Sequence, residues 1–263
     1  MVEINAGSSI KRFFCIHGAG GNVLNFYPLS KAIGDSYSFY GLQARGIDGK
    51  IPLSSSVEEM AEQYLSEILE VQPEGPYFIG GFSGGGTVAL EVAARLVSRN
   101  HEVEKVILID SPCQDAKVDV KTRSLGKVLK EDGFDYVINY PKKLVKRRIE
   151  KHRRNRYEDY QAKGLRSPED LRETELFWEF TKAAARYKIK PYSGDVILFK
   201  ASKASQEFEL LGPDLGWSKY LPNLEIFSFP GDHLSLMREP GILMAGAVLR
   251  GVYDDQKLPT SSR

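Results

Sequence analysis

Short runs rich in β-branched and aromatic residues alternate with helical periodicities along most of this chain. The stretches 11–17 (KRFFCIH), 36–42 (SYSFYGL), 76–82 (PYFIGGF), 104–110 (EKVILID), 195–200 (DVILFK) and 224–230 (LEIFSFP) predict strands. Helical patterns fall between or after them, at 26–33, 56–72, 84–99 and about 240–253. In the second of these, Met60, Tyr64 and Ile68 recur at helical spacing, and Ser56 with Glu59 reads as a capping box. Several strands are continuously apolar, as expected where both faces of a sheet are covered. Strand–helix alternation then predicts an α/β fold: a mostly parallel, doubly wound sheet with helices on both faces.

Residues 115 to about 190 break that rhythm. They hold no good strand and many charges. The run 141–156 (PKKLVKRRIEKHRRNR) carries nine basic residues and one acid. Further on, 169–187 places Leu176, Phe180, Ala184 and Tyr187 on one helical face, with Phe177 and Trp178 nearby. This reads as a helical insertion anchored on the sheet by that face. The polar tail 254–263 reads as frayed. The expectation is a single domain over 1–263 with an insertion at about 115–190.

Bulk properties narrow the class. The 263 residues are 42% hydrophobic and 27% charged, with a formal charge of +1. Nothing in that balance points to nucleic acid or a membrane surface. No run approaches a membrane span, and residues 1–10 lack the basic start and apolar stretch of a signal peptide. Two cysteines, Cys15 and Cys113, make no disulfide framework and no CxxC, so a reducing, cytoplasmic setting is expected.

Five glycines surround one serine in FIGGFSGGGTVALEVAARL (78–96). Gly81-Phe82-Ser83-Gly84-Gly85 fits G-x-S-x-G, with a strand before it and a helix after it. Small residues at 81 and 85 relieve crowding in the sharp turn, and the helix start offers N–H groups to developing negative charge. A Walker loop is excluded, because no Lys-Ser/Thr pair follows. A serine nucleophile needs a base. Of the four histidines, His233 lies just past the last strand. His101 falls on the far side of the sheet, His152 sits in the basic run, and His17 ends the first strand and reads as structural. Asp110 closes 104–110 and is the candidate acid. Asp195 begins its strand and Asp232 adjoins His233, so both are poorly placed. Serine, acid, histidine is the chain order of α/β-hydrolases. Glycines in HGAGGN (17–22) would bring the Ala19 N–H close to a substrate oxygen, completing an oxyanion hole with the Gly84 N–H.

HGAGGN at 17–22, GLQARG at 41–46, GGFSGGG at 80–86, ILIDSP at 107–112, LGWSKY at 215–220 and PGDHLSLM at 230–237 together resemble the thioesterase domains of nonribosomal peptide and polyketide synthases. The resemblance covers about 11–250. It implies an α/β-hydrolase fold whose 115–190 insertion is a helical lid. It also implies transfer of an acyl or peptidyl chain from the phosphopantetheine arm of a carrier protein onto Ser83, with Asp110 and His233 as partners. Release would follow, by hydrolysis or macrocyclisation. Neither a metal nor a cofactor of the domain's own is implied, and a monomer is expected. An acid directly after the strand that follows the nucleophile resembles terminal releasing domains, whereas editing thioesterases place it one strand later. Gly84 departs from the bulkier residue often found there, which leaves the turn less restrained. An editing thioesterase or a general carboxylesterase would use the same triad. A catalytically silent receptor of this fold would lack a triad member, and none is missing.

Overall fold

In the computed structural model, residues 1–7, 11–35, 37–116, 145, 147–203 and 206–253 are described. Among them, seven strands form one sheet: β1 (Val2–Asn5), β2 (Arg12–Ile16), β3 (Ser38–Leu42), β4 (Tyr77–Phe82), β5 (Val103–Ile109), β6 (Val196–Ala201) and β7 (Leu224–Phe229). Their order is β1-β3-β2-β4-β5-β6-β7. Every neighbouring pair is parallel except the edge pair β1–β3. The helices are α1 (Tyr27–Ile33), α2 (Val57–Val71), α3 (Gly85–Ser98), α4 (147–162), α5 (Arg172–Arg186), α6 (Gln206–Glu209) and α7 (Gly241–Tyr253). The architecture is that of an α/β-hydrolase.

The period-2 alternation of the strands divides the core in two. Phe14, Ile16, Ile79 and Leu108 pack on α2 and α3, whereas Phe13, Cys15, Phe78 and Ile107 pack with residues of α1 and α7. All residues of β4 are buried, which explains its unbroken apolar run. Each six-stretch strand expectation is met within two residues. The unforeseen element is β1, a four-residue antiparallel edge strand. The capping box is only half formed. Ser56 Oγ accepts the Glu59 N–H at 3.1 Å, but the Glu59 carboxylate accepts from the N–H and hydroxyl of Ser55 instead of reaching Ser56.

Register fixes where the loops emerge. Ile16 pairs with Gly81, Phe82 with Ile109, Ile109 with Phe199, and Ala201 with Phe229. The carboxyl ends of β2, β4, β5, β6 and β7 therefore open on one rim of the sheet, where open α/β sheets bind ligands.

Of the insertion, 117–144 and 146 lie outside the described residues, as do Lys142, Lys143 and Lys146 of the basic run and the tail 254–263. The described part is α4, α5 and their connection. Leu176, Phe180, Ala184 and Tyr187 are buried, as the helical face requires. The Tyr187 hydroxyl donates to the buried Glu91 of α3 at 2.6 Å. Helix α4 is tied to α5 by Tyr157–Glu179 and by Arg154 lying over the Trp178 ring at 4.2 Å, and to the turn before α5 by Arg156–Asp170. Cys15 and Cys113 are free and buried. No helix among the described residues is long and apolar enough to cross a membrane.

Candidate active site

Ser83 sits on the turn between β4 and α3 with φ at 54°, a left-handed conformation that non-glycine residues seldom adopt. Its N–H donates to Ile109 O at 2.9 Å, so the sheet ladder continues into the turn and holds it. The turn closes because positions 81 and 85 carry no side chain. A Cβ at Gly81 would overlap the Gly85 backbone, and one at Gly85 would overlap the His17 carbonyl. The cost of the strained serine, about 1–3 kcal/mol by general experience, is carried by the buried elements on both sides.

Asp110, one residue past β5, is likewise left-handed (φ 44°) and 1% exposed. Its Oδ1 accepts the Ala201 N–H from the end of β6 at 2.9 Å, and its Oδ2 accepts from His233 Nδ1 at 2.7 Å. A carboxylate can only accept, so the proton is on Nδ1, and Nε2 faces Ser83 Oγ at 3.0 Å as the acceptor. The imidazole is also held by rings. Phe82 stacks on it at 4.9 Å and 19°, and Phe208 meets it edge-on at 5.5 Å. The three residues singled out in the sequence are thus brought together from three strand ends.

The rejected candidates are elsewhere. Asp195 pairs with Lys105 at 3.0 Å. Asp232 organises its own turn, with Oδ1 accepting from the Leu234 N–H and from both the N–H and hydroxyl of Ser235; these bonds hold its carboxyl below the usual range. His101 packs on Tyr77, at the opposite end of β4 from Ser83. His152 is exposed on α4.

His17 is 1% exposed. Its Nδ1 donates to Gly18 O at 2.5 Å, and Nε2 accepts from the Tyr64 hydroxyl at 2.6 Å. Burial pulls its pKa from 6.5 to about 4, so the ring is neutral near pH 7. Gly18 O also accepts the Gly21 N–H at 2.9 Å, which pins the peptide leading into Ala19. Ala19 and Ser83 line one groove of about 510 Å³. Among the described residues, neither the Ala19 N–H nor the Gly84 N–H has a protein acceptor.

Sequence reasoning missed Phe82 and Phe208 against the imidazole, and the Ala201 N–H on the Asp110 carboxylate. Phe82 adjoins the serine and was legible as a neighbour. The other two depend on how β6 and its following loop lie beside β5, which no local pattern reports.

A family model described as Thioesterase domain matches residues 11–239. Against the dimodular nonribosomal peptide synthase of Bacillus subtilis (strain 168), the chain is 28% identical over 246 residues, covering 90% of this chain and 10% of that protein. The chain therefore spans about a tenth of the length of that relative. Among solved structures, the NocB thioesterase domain in covalent complex with a fluorophosphonate nocardicin G analog superposes with a TM-score of 0.66 at 22% identity, over 94% of this chain and 96% of that one. A four-domain nonribosomal peptide synthetase bound to AMP and glycine superposes with a TM-score of 0.71 at 22% identity, over 96% of this chain and 20% of that one.

Proposed function

The chain belongs to the thioesterase-domain family, and on that premise we propose that it releases an acyl or peptidyl chain from the phosphopantetheine arm of a synthase carrier protein through an ester on Ser83. The observation that carries this reading is the relay Asp110 Oδ2–His233 Nδ1 at 2.7 Å and His233 Nε2–Ser83 Oγ at 3.0 Å.

Ser83 Oγ attacks the thioester carbonyl while His233 Nε2 takes the hydroxyl proton. Asp110 fixes the tautomer and stabilises the imidazolium that results. The tetrahedral oxyanion is held by the N–H groups of Ala19 and Gly84. Collapse breaks the C–S bond, and the imidazolium returns its proton to the departing thiol. Water, or a hydroxyl or amine of the chain itself, then attacks the ester with His233 again as base, and Ser83 leaves with the proton. Cyclisation in place of hydrolysis requires the chain to be held folded and water to be kept out, a role suited to the described part of the insertion, α4 and α5. The place of Asp110, directly after β5, favours a terminal releasing domain over an editing one.

A general carboxylesterase with the same triad is the competing reading. The test compares an acyl-carrier thioester with an oxyester of the same acyl group, after confirming that a serine-directed fluorophosphonate labels Ser83. Preference for the carrier thioester is expected. Equal or better use of the oxyester would favour the esterase reading, and absence of label at Ser83 would remove both.

A further inference from the structure

Among the described residues, the walls of the groove over Ser83 carry almost no charge. Of its eleven lining residues, His233 is the only one able to take one. Three apolar side chains stand out of its walls: Leu24 is 74% exposed, Leu234 68% and Phe177 46%. Scattered exposed hydrophobics need no explanation, but these three, from three separate segments, line the same groove as Ser83.

Both leucines are held outward by the same local device. Asn22 Oδ1 accepts the Leu24 N–H at 2.7 Å, and Asp232 Oδ1 accepts the Leu234 N–H at 3.1 Å. Each is a side-chain turn in which the residue two places on is presented by the preceding Asn or Asp. One leucine follows the loop after β2 and the other follows β7, and both line the groove that holds Ser83 and His233. The third wall, Phe177, meets Trp178 edge-on at 5.4 Å, and Trp178 is in turn covered by Arg154.

From these features, and resting on the proposed release reaction, we infer that the transferred acyl group is uncharged and apolar over the atoms nearest its thioester carbonyl. Such a chain buries methylenes against Leu24, Phe177 and Leu234. A carboxylate or ammonium in the same place would lose its water without gaining a partner from the described walls.

The experiment measures kcat/KM for N-acetylcysteamine thioesters of butanoate, hexanoate and succinate, on the wild-type chain and on Leu24→Ala and Leu24→Lys. Leu24 is mostly in solvent, so both variants should fold as wild type, which thermal unfolding verifies. Hexanoyl should exceed butanoyl by up to about fourfold per added methylene, and succinyl should fall below butanoyl by roughly a hundredfold. Leu24→Ala should lower the hexanoyl value severalfold through KM. Leu24→Lys should raise the succinyl-to-butanoyl ratio at least about tenfold. Equal use of succinyl and butanoyl by the wild type, or an unchanged ratio in Leu24→Lys, would overturn the inference and leave the release reaction standing. Failure of the wild type to turn over any of the thioesters would overturn both.

Discussion

The ring of Phe180 fills the space that a side chain at Gly84 would need. A Cβ built on Gly84 overlaps the Phe180 ring, which is 5% exposed and also lies edge-on to His17 at 5.8 Å. The glycine after Ser83 therefore does not leave the turn slack, whereas the sequence suggested that it would. Helix α5 supplies from above the restraint that a larger side chain would have provided locally. One aromatic residue thus bridges the insertion, the Ser83 turn and the His17 network.

Gly84→Ala should therefore be destabilising, by about 1–3 kcal/mol for a methyl forced into a filled site. Phe180→Ala alone should also destabilise, by loss of buried area and a cavity, typically about 3 kcal/mol or more. Combined, the two should be clearly less than additive, because the alanine at 84 enters the space the ring vacates. Urea unfolding of the four proteins measures this. Strict additivity would mean that the two residues do not share that space.

Asp110→Asn should lower turnover by roughly a thousandfold or more while leaving the fold intact, since an amide favours the wrong imidazole tautomer. Asp195→Asn should be close to wild type, because it removes only a surface pair with Lys105. Asp232→Asn disturbs the turn that carries His233 and should have an intermediate effect. A near-normal Asp110→Asn beside an inactive Asp232→Asn would reassign the acid.

The buried His17 ring makes stability depend on pH. Its folded pKa, about 4, lies below the ordinary 6.5 of the unfolded chain. Between those values the unfolded state binds the extra proton, so stability is complete above about pH 6.5 and falls as pH drops toward 4. The contribution is on the order of 3 kcal/mol over that window. His17→Asn should lack this component of the slope. Unfolding free energies of both proteins at pH 4.5–7.5 give the difference, in which the shared carboxylates cancel. Identical slopes would mean that His17 titrates normally.

The relay was legible because each member is announced by a local signal at a strand end: small residues around Ser83, a closing acid in VILID, a turn after an apolar strand at PGDHLSLM. Register between β4, β5 and β7 does the rest. What escaped reading has no local signal. VEIN in β1 is short, half polar and only partly buried, and becomes a strand through its antiparallel pairing with β3. The Gly84–Phe180 fit joins residues far apart in sequence. The outward leucines depend on side-chain turns whose partner residues read equally well as ordinary loop.

On α4, Arg154 and Arg156 are engaged with Glu158 and Asp170, while Arg147, Arg148 and Lys151 are exposed. If this face steers an anionic carrier, reversing those three to glutamate should lower kcat/KM for a carrier-bound thioester by about tenfold or more at low salt, mainly through association. The salt dependence should flatten as well. An N-acetylcysteamine thioester should be unaffected. Equal loss on both substrates would assign the face to lid stability, and no loss on either would leave it a solvated surface.

The central claim is that Ser83 carries the acyl chain. Rapid-quench intact-mass spectrometry with an acyl-carrier thioester, followed by peptide mapping, tests it directly. The account requires a mass increase equal to the acyl group on the peptide containing Ser83. It should appear before free acid or cyclic product, persist longer when hydrolysis is slow, and be absent in Ser83→Ala, whose turnover should be lost. Product formation by Ser83→Ala at a rate near wild type, or an acyl adduct on a different residue, would contradict it.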